Sequence, residues 1–125
     1  MEEGQTSAHL RAVLGEEAFV FLAQAFGGTR VYVPPKCRDD HEIVLAIGRV
    51  AADALSRSFA PDTIRVPLAR RERALYFRGT LGLSNAQIAR QLGITEGGVN
   101  RLFARQQDLP AKAILGKPPT QLTLL

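Results

Sequence analysis

The sequence predicts a mainly α-helical fold with short β-strands, in which an N-terminal helix–strand repeat precedes a trihelical unit. Three observations carry this. The stretches 16–26 and 42–59 place apolar residues at helical spacing. Each is followed by nine residues that start with Phe and end with Val-Pro, FGGTRVYVP and FAPDTIRVP, offset by 33 positions. Finally, LSNAQIARQLGITEGGVNRLFAR at 83–105 has the caps, turn glycine and apolar spacing of two helices joined tightly. The resulting boundaries are a helix–strand region at 1–67, a trihelical unit at 68–107 and a flexible tail at 108–125.

Residues 1–15 are polar apart from a short apolar stretch, Leu10 to Leu14, and are expected to fray at their start. From Glu16 the pattern EEAFVFLAQAF puts Phe19, Leu22, Ala23 and Phe26 on one side of a helix, with two acids at its positive end. Gly27 and Gly28 stop it. TRVYVPP then alternates β-branched and aromatic residues and closes on prolines, which reads as an edge strand. A second helix is expected across EIVLAIGRVAADALSRSF, with Ile43, Ile47, Val50, Ala51, Ala54 and Leu55 as its apolar stripe and Gly48 at a close helix contact. Pro61 and Asp62 break it, and TIRVP reads as another strand. Two copies of such a unit can pair strands within one chain or across a twofold axis.

ARRERALYFRG at 69–79 is expected as the first helix of the trihelical unit, with Leu75 and Tyr76 or Phe77 inward and four arginines around it. Ser84 caps the next helix, and Gln87 can reach back to the capping residue's amide, forming a capping box. Ile88 and Leu92 share one face, and the small Ala89 permits close crossing. Gly93 supplies the left-handed turn, Ile94 plugs it, and Thr95 caps a last helix whose Val99 and Leu102 or Phe103 face inward. This is the pattern of a helix-turn-helix. The candidate DNA-binding residues are therefore Ser84, Thr95, Glu96, Gly97, Gly98, Asn100, Arg101 and Arg105. Asn can pair with adenine and Arg with guanine through two hydrogen bonds each in the major groove.

Charge agrees. The formal net charge is +4, but residues 1–64 hold 6 Lys/Arg against 9 Asp/Glu, whereas 65–105 hold 8 against 2, all eight arginine. Arginine's planar fork matches phosphates and guanine edges. No apolar run reaches the roughly 18 residues of a membrane span, and the start MEEGQTSAHL lacks a signal peptide's basic end, so a cytoplasmic protein is expected. One cysteine, Cys37, and two histidines, His9 and His41, offer no metal-ligand cluster, and no cofactor is expected. No Ser/His/Asp, Cys/His or paired-carboxylate arrangement points to an enzyme. The tail's apolar end, QLTLL, is expected to dock on a partner or on the protein's own surface.

With these motifs in view, residues 19–105 resemble the Mor/C family of phage transcription activators. FGGTRVYVP is similar to the family's Gly-Gly–strand–Pro signature, and HEIVLAIG with IRVP resembles the helix and strand that precede its DNA-binding unit. The resemblance implies a homodimer formed by the N-terminal helices and strand, two helix-turn-helix heads on double-stranded DNA, and contact with bacterial RNA polymerase in the host cytoplasm. It also implies that Gly27, Gly28 and Tyr32 help shape DNA between half-sites. By proximity to the helix-turn-helix, however, the strand ending at Pro67 holds the family's usual place, with Arg65 where the aromatic would be. Either strand can face DNA. A repressor or antiactivator, a recombinase-accessory module and a sigma-like polymerase-binding module need the same motif.

Overall fold

The computed structural model describes the backbone of residues 2–107 and the side chains of residues 6–104. The side chain of Arg105 and the tail at 108–125, including QLTLL, lie outside the described residues. Among the described residues the chain is mainly helical with one two-stranded antiparallel sheet, and it divides into two compact units after Ala69.

The first unit contains α1 (Glu2–Leu14), α2 (Glu16–Phe26), β1 (Arg30–Val33), α3 (Glu42–Ile47), α4 (Arg49–Phe59) and β2 (Asp62–Arg65). α1 lies in the polar stretch for which the sequence predicts no element. Among its described side chains Leu10 alone is deeply buried, while His9 lies against the Phe59 ring at 4.7 Å and Arg11 over Phe19 at 5.8 Å. Gly15, at φ 86, turns the chain directly into α2, whose Phe19, Val20, Leu22 and Ala23 are buried.

The expected four-turn helix after His41 is two helices. Gly48 adopts φ 90, ψ 164, ending α3 and starting α4, and a Cβ there would meet nothing within 4 Å. It is a break, not a contact point. The reorientation exposes Val50 to 82% and turns Ala52 and Ser56 inward in its stead, while Leu55 is buried as expected. His41 caps α3 by accepting from the Ile43 amide at 3.1 Å.

β1 and β2 pair antiparallel within the chain, with Arg30 opposite Arg65, Val31 opposite Ile64, Tyr32 opposite Thr63 and Val33 opposite Asp62. Period-two alternation sends Val31, Val33 and Ile64 into a core shared with Leu10, Phe19, Leu22, Ile43 and Leu55. Cys37 belongs to this core at 4% exposure, so it is a packing residue. Nearby, Ser56 donates to the Pro34 carbonyl at 2.8 Å, tying the loop after β1 to α4.

The second unit begins at Arg70 and contains α5 (Arg70–Gly79), α6 (Asn85–Leu92) and α7 (Glu96–Gln107). α5 and α6 both pack on α7, and α5 packs on α6. Its buried apolar side chains are Ala74, Tyr76, Phe77, Ile88, Ala89, Leu92 and Val99. Leu75, expected inward, is only half-buried, and its place is taken by Ala74 and, unexpectedly, Arg73 at 6% exposure. Arg73 donates to the Gln91 carbonyl at 3.3 Å, near the end of α6 where orphan carbonyls accumulate. Burial lowers its pKa from the ordinary arginine value, and Arg70 nearby lowers it further.

Candidate nucleic-acid interface

Local chemistry fixes α6 at both ends and α7 at its start. The Ser84 hydroxyl accepts from the Gln87 amide at 3.2 Å while Gln87 Oε1 accepts from the Ser84 amide at 2.8 Å, a complete capping box. Such a cap contributes about 1 kcal/mol to a helix. Gly93 sits in the left-handed region at φ 72, ψ 34, and the amides of Gly93 and Ile94 both reach the Ala89 carbonyl. This closes α6 with the Schellman-type geometry that glycine favours. Thr95 Oγ1 then accepts from the Gly98 amide at 3.0 Å and starts α7.

The consequence is a defined outward face. Val99 is fully buried, whereas Thr95, Glu96, Gly97, Asn100 and Arg101 are exposed. Arg70, Ile94, Thr95, Gly98, Arg101 and Leu102 line an open groove beside the start of α7. Glu96 lies in the first turn, where its carboxylate complements the helix dipole.

The two adjacent glycines differ. A Cβ on Gly98 would come within 3.3 Å of Ile94 Cδ1 and 3.4 Å of Thr95 Oγ1, so its small size serves the turn. On Gly97 the nearest atoms lie at 3.8 Å, an ordinary contact. Nothing within the described residues requires glycine at 97. Gly97→Ala is therefore expected to raise stability by up to about 1 kcal/mol, less if first-turn position weakens the effect, while Gly98→Ala gains little because Ile94 must shift. Urea denaturation followed by circular dichroism would separate them. Equal shifts would contradict the distinction.

The arginines of this unit do not act alike. Arg70, Arg90 and Arg101 are exposed, Arg71 and Arg78 are half-buried, and Arg73 is buried. Arg78 donates through Nε to the Leu83 carbonyl at 2.9 Å and through Nη2 to Asn85 Oδ1, with its guanidinium 4.9 Å above the Phe103 ring. Burial lowers its pKa from the usual arginine value. Asn85 Nδ2 in turn donates to Asn100 Oδ1 at 2.8 Å. Thus the amide oxygen of Asn100, half of what a two-bond adenine pair requires, is already engaged by a residue that the motif's spacing does not single out.

No protein-family model, curated protein or solved structure matches this chain.

In the first unit, the strands present a second feature. Because paired residues share a face, Arg30, Arg65, Tyr32 and Thr63 point together to solvent, with Tyr32 54% exposed. Both strands are therefore presented at once, and Tyr32 and Arg65 stand diagonally on one exposed surface. Gly27 and Gly28 have a packing reason for being glycine. The Gly28 amide donates to the Val66 carbonyl at 2.8 Å with φ +84, and a Cβ on Gly27 would strike three backbone atoms.

Elsewhere in that unit Arg49 pairs with Asp39 and Asp53 and donates to the Cys37 carbonyl at 3.0 Å. Hydrogen bonds from Arg49 to Asp39, then to Asp53, raise its pKa. This clamp holds the loop at 36–40 and engages both carboxylates beside it. Among the described residues, no group of three His, Cys, Asp or Glu side chains could hold a metal, and no helix is long and apolar enough to cross a membrane.

Proposed function

We propose that α5–α7 form a helix-turn-helix unit that reads double-stranded DNA through α7, and that the protein is a sequence-specific transcription regulator. The observation that carries this reading is the face of α7: Glu96, Gly97, Asn100 and Arg101 stand exposed beyond a left-handed glycine turn and two capped helix starts. A helix presented in this way fits the major groove, with its first turns against base edges and its basic neighbours against phosphates. The arginine-only cation content of 65–105 supports it.

The Mor/C-like signatures make the protein, on this reading, a homodimeric activator of phage or prophage genes that contacts RNA polymerase in a bacterial cytoplasm. The two helix–strand pieces act as a degenerate repeat whose unit forms the dimer. Leu45 and Val50, 75% and 82% exposed on either side of Gly48, favour a partner surface there. Arg30 facing Arg65 across the sheet is costly in isolation and is relieved by a polyanion. Tyr32, Arg65, Gly27 and Gly28 then lie at or near the DNA between half-sites.

Selection of bound duplexes from a random pool, followed by mobility shift on the winner, tests the reading. One site with dyad or repeated halves is expected, and Arg101→Ala should weaken it by about 1–3 kcal/mol while binding to random duplex changes less. A pool that never converges, or a selected site bound equally well by Arg101→Ala, would remove α7 as the reader. Sedimentation that gives a monomer both alone and on that site would remove the dimer.

A further inference from the structure

On the DNA-binding reading, which this inference presupposes, the chain of polar contacts behind α7 decides which base Asn100 can accept. A guanidinium has five N–H donors and no acceptor. Arg78 therefore requires the oxygen of the Asn85 amide to face it, and Arg78 Nη2 does donate to Asn85 Oδ1. That leaves Asn85 Nδ2 as the group directed at α7, where it donates to Asn100 Oδ1 at 2.8 Å. Asn100 Nδ2 is then the remaining group on an exposed side chain, and among the described residues no acceptor meets it.

We infer that Arg78 and Asn85 act as positioning residues that lock the Asn100 amide so that it offers DNA a donor only. The lock is well placed to hold. Arg78 is half-buried, anchored independently on the Leu83 carbonyl at 2.9 Å, and covered by Phe103, while Asn85 stands at the rigid capped start of α6. Reversing either amide would set donor against donor or acceptor against acceptor at one junction of the chain. A two-bond pair with adenine needs the Asn to donate to N7 and accept from N6, and the second is denied here. A donor-only side chain instead favours guanine, which presents the N7 and O6 acceptors in the major groove, and disfavours cytosine, which presents the N4 donor. The base opposite Asn100 is thus chosen by a residue on another helix.

Asn85→Asp reverses the lock. In that variant both side-chain oxygens are acceptors, one for Arg78 and one for Asn100, so the Asn100 amide turns and presents its oxygen. An acid at the first position of α6 also suits the helix dipole, which keeps the variant folded. The preference should move from guanine to cytosine or adenine, each of which offers an amino donor.

Two measurements on the full chain test this. The first needs no DNA: in 15N-edited NMR the Asn85 side-chain NH2 should exchange with water more slowly than the Asn100 NH2, and Asn85→Asp should make the Asn100 NH2 the protected one. Protection of Asn100 in the unsubstituted protein overturns the lock. The second compares duplexes substituted at the position whose selectivity disappears in Asn100→Ala. Guanine over cytosine by roughly three- to tenfold, inverted in Asn85→Asp, is expected for one hydrogen bond gained or opposed. Adenine preferred by the unsubstituted protein and retained in Asn85→Asp overturns the inference. If exchange behaves as expected yet no duplex is selected, it is the DNA reading that fails, and the base assignment with it.

Discussion

Raising monovalent salt from about 50 to about 200 mM should weaken binding to the selected site by roughly three orders of magnitude if the protein binds as a dimer. The size of the effect depends on which arginines are available. Eight arginines lie between 65 and 105, but Arg73 is buried against the Gln91 carbonyl and Arg78 is committed to Leu83 and Asn85. Arg70, Arg90 and Arg101 are the exposed ones in the second unit among the described side chains. Each neutralised phosphate contributes a slope of about −0.9 in log K against log salt. Three contacts per protomer from the second unit alone give a slope of about −2.7 for one head and about −5.4 for two, or losses of about 40-fold and about 1,800-fold over that range, and phosphate contacts by Arg30 and Arg65 on the exposed sheet face would steepen it further. If all eight arginines met phosphates, a dimer's slope would be nearer −14. On the DNA-binding reading, the measured slope therefore reads the number of heads and the division between structural and exposed arginine together. A salt-independent affinity would leave no role for this charge.

The same division marks the limit of what the sequence makes legible. Ser84 with Gln87, Gly93 and Thr95 are legible because a cap or a left-handed turn involves residues at most five apart, and the chemistry of each type allows few alternatives. Tertiary placement of a cation is not. ARRERALYFRG gives no local sign that Arg73 turns inward, because that outcome depends on a carbonyl 18 positions away at the end of α6. Likewise Asn100 reads as a free amide until Asn85, 15 positions earlier, is brought beside it. The signal for that contact exists only as an Asn at the first position of α6, following an Arg seven residues before it.

In the first unit the departures from expectation have two physical causes. α1 escapes a reading by periodicity because one buried leucine cannot generate an apolar stripe, and the helix is held instead by packing on α2 and α4. The helix after His41 reads as continuous because Ile43 and Ile47 keep register with Ala51, Ala54 and Leu55. At Gly48, however, a φ of 90 needs no compensation in glycine, and the break swaps Val50 out and Ala52 in. The pairing of β1 with β2 within the chain is one of two arrangements that a helix–strand repeat would allow. Their register follows only once both strands place their apolar residues in one core with α4.

Gly27→Ala is expected to destabilise the first unit by about 3 kcal/mol, more than Gly28→Ala, although Gly28 alone of the two has the unusual backbone angle. At Gly27 the backbone is ordinary, φ −52 and ψ 135, so alanine suffers no conformational penalty there. The obstacle is contact. Its Cβ would lie 2.5 Å from the Ala23 carbonyl oxygen, 3.2 Å from that of Pro67 and 3.3 Å from Leu68 Cα, and backbone at the end of α2 and beyond β2 must yield. At Gly28, with φ +84, the cost is the left-handed conformation, about 1–2 kcal/mol, because its nearest neighbour is a Leu68 methyl that can rotate away. Chemical denaturation of the two variants measures the order directly. If Gly28→Ala proves the more damaging, the close crossing at Gly27 is not a structural constraint. If both variants match the unsubstituted protein's stability yet lose the selected DNA site, the glycines serve the exposed Tyr32–Arg65 surface itself. The expected result, a large loss at 27 and a smaller one at 28, makes the Gly-Gly pair first a hinge that seats the ribbon. Any role in DNA shaping then follows from the surface that the hinge holds in place.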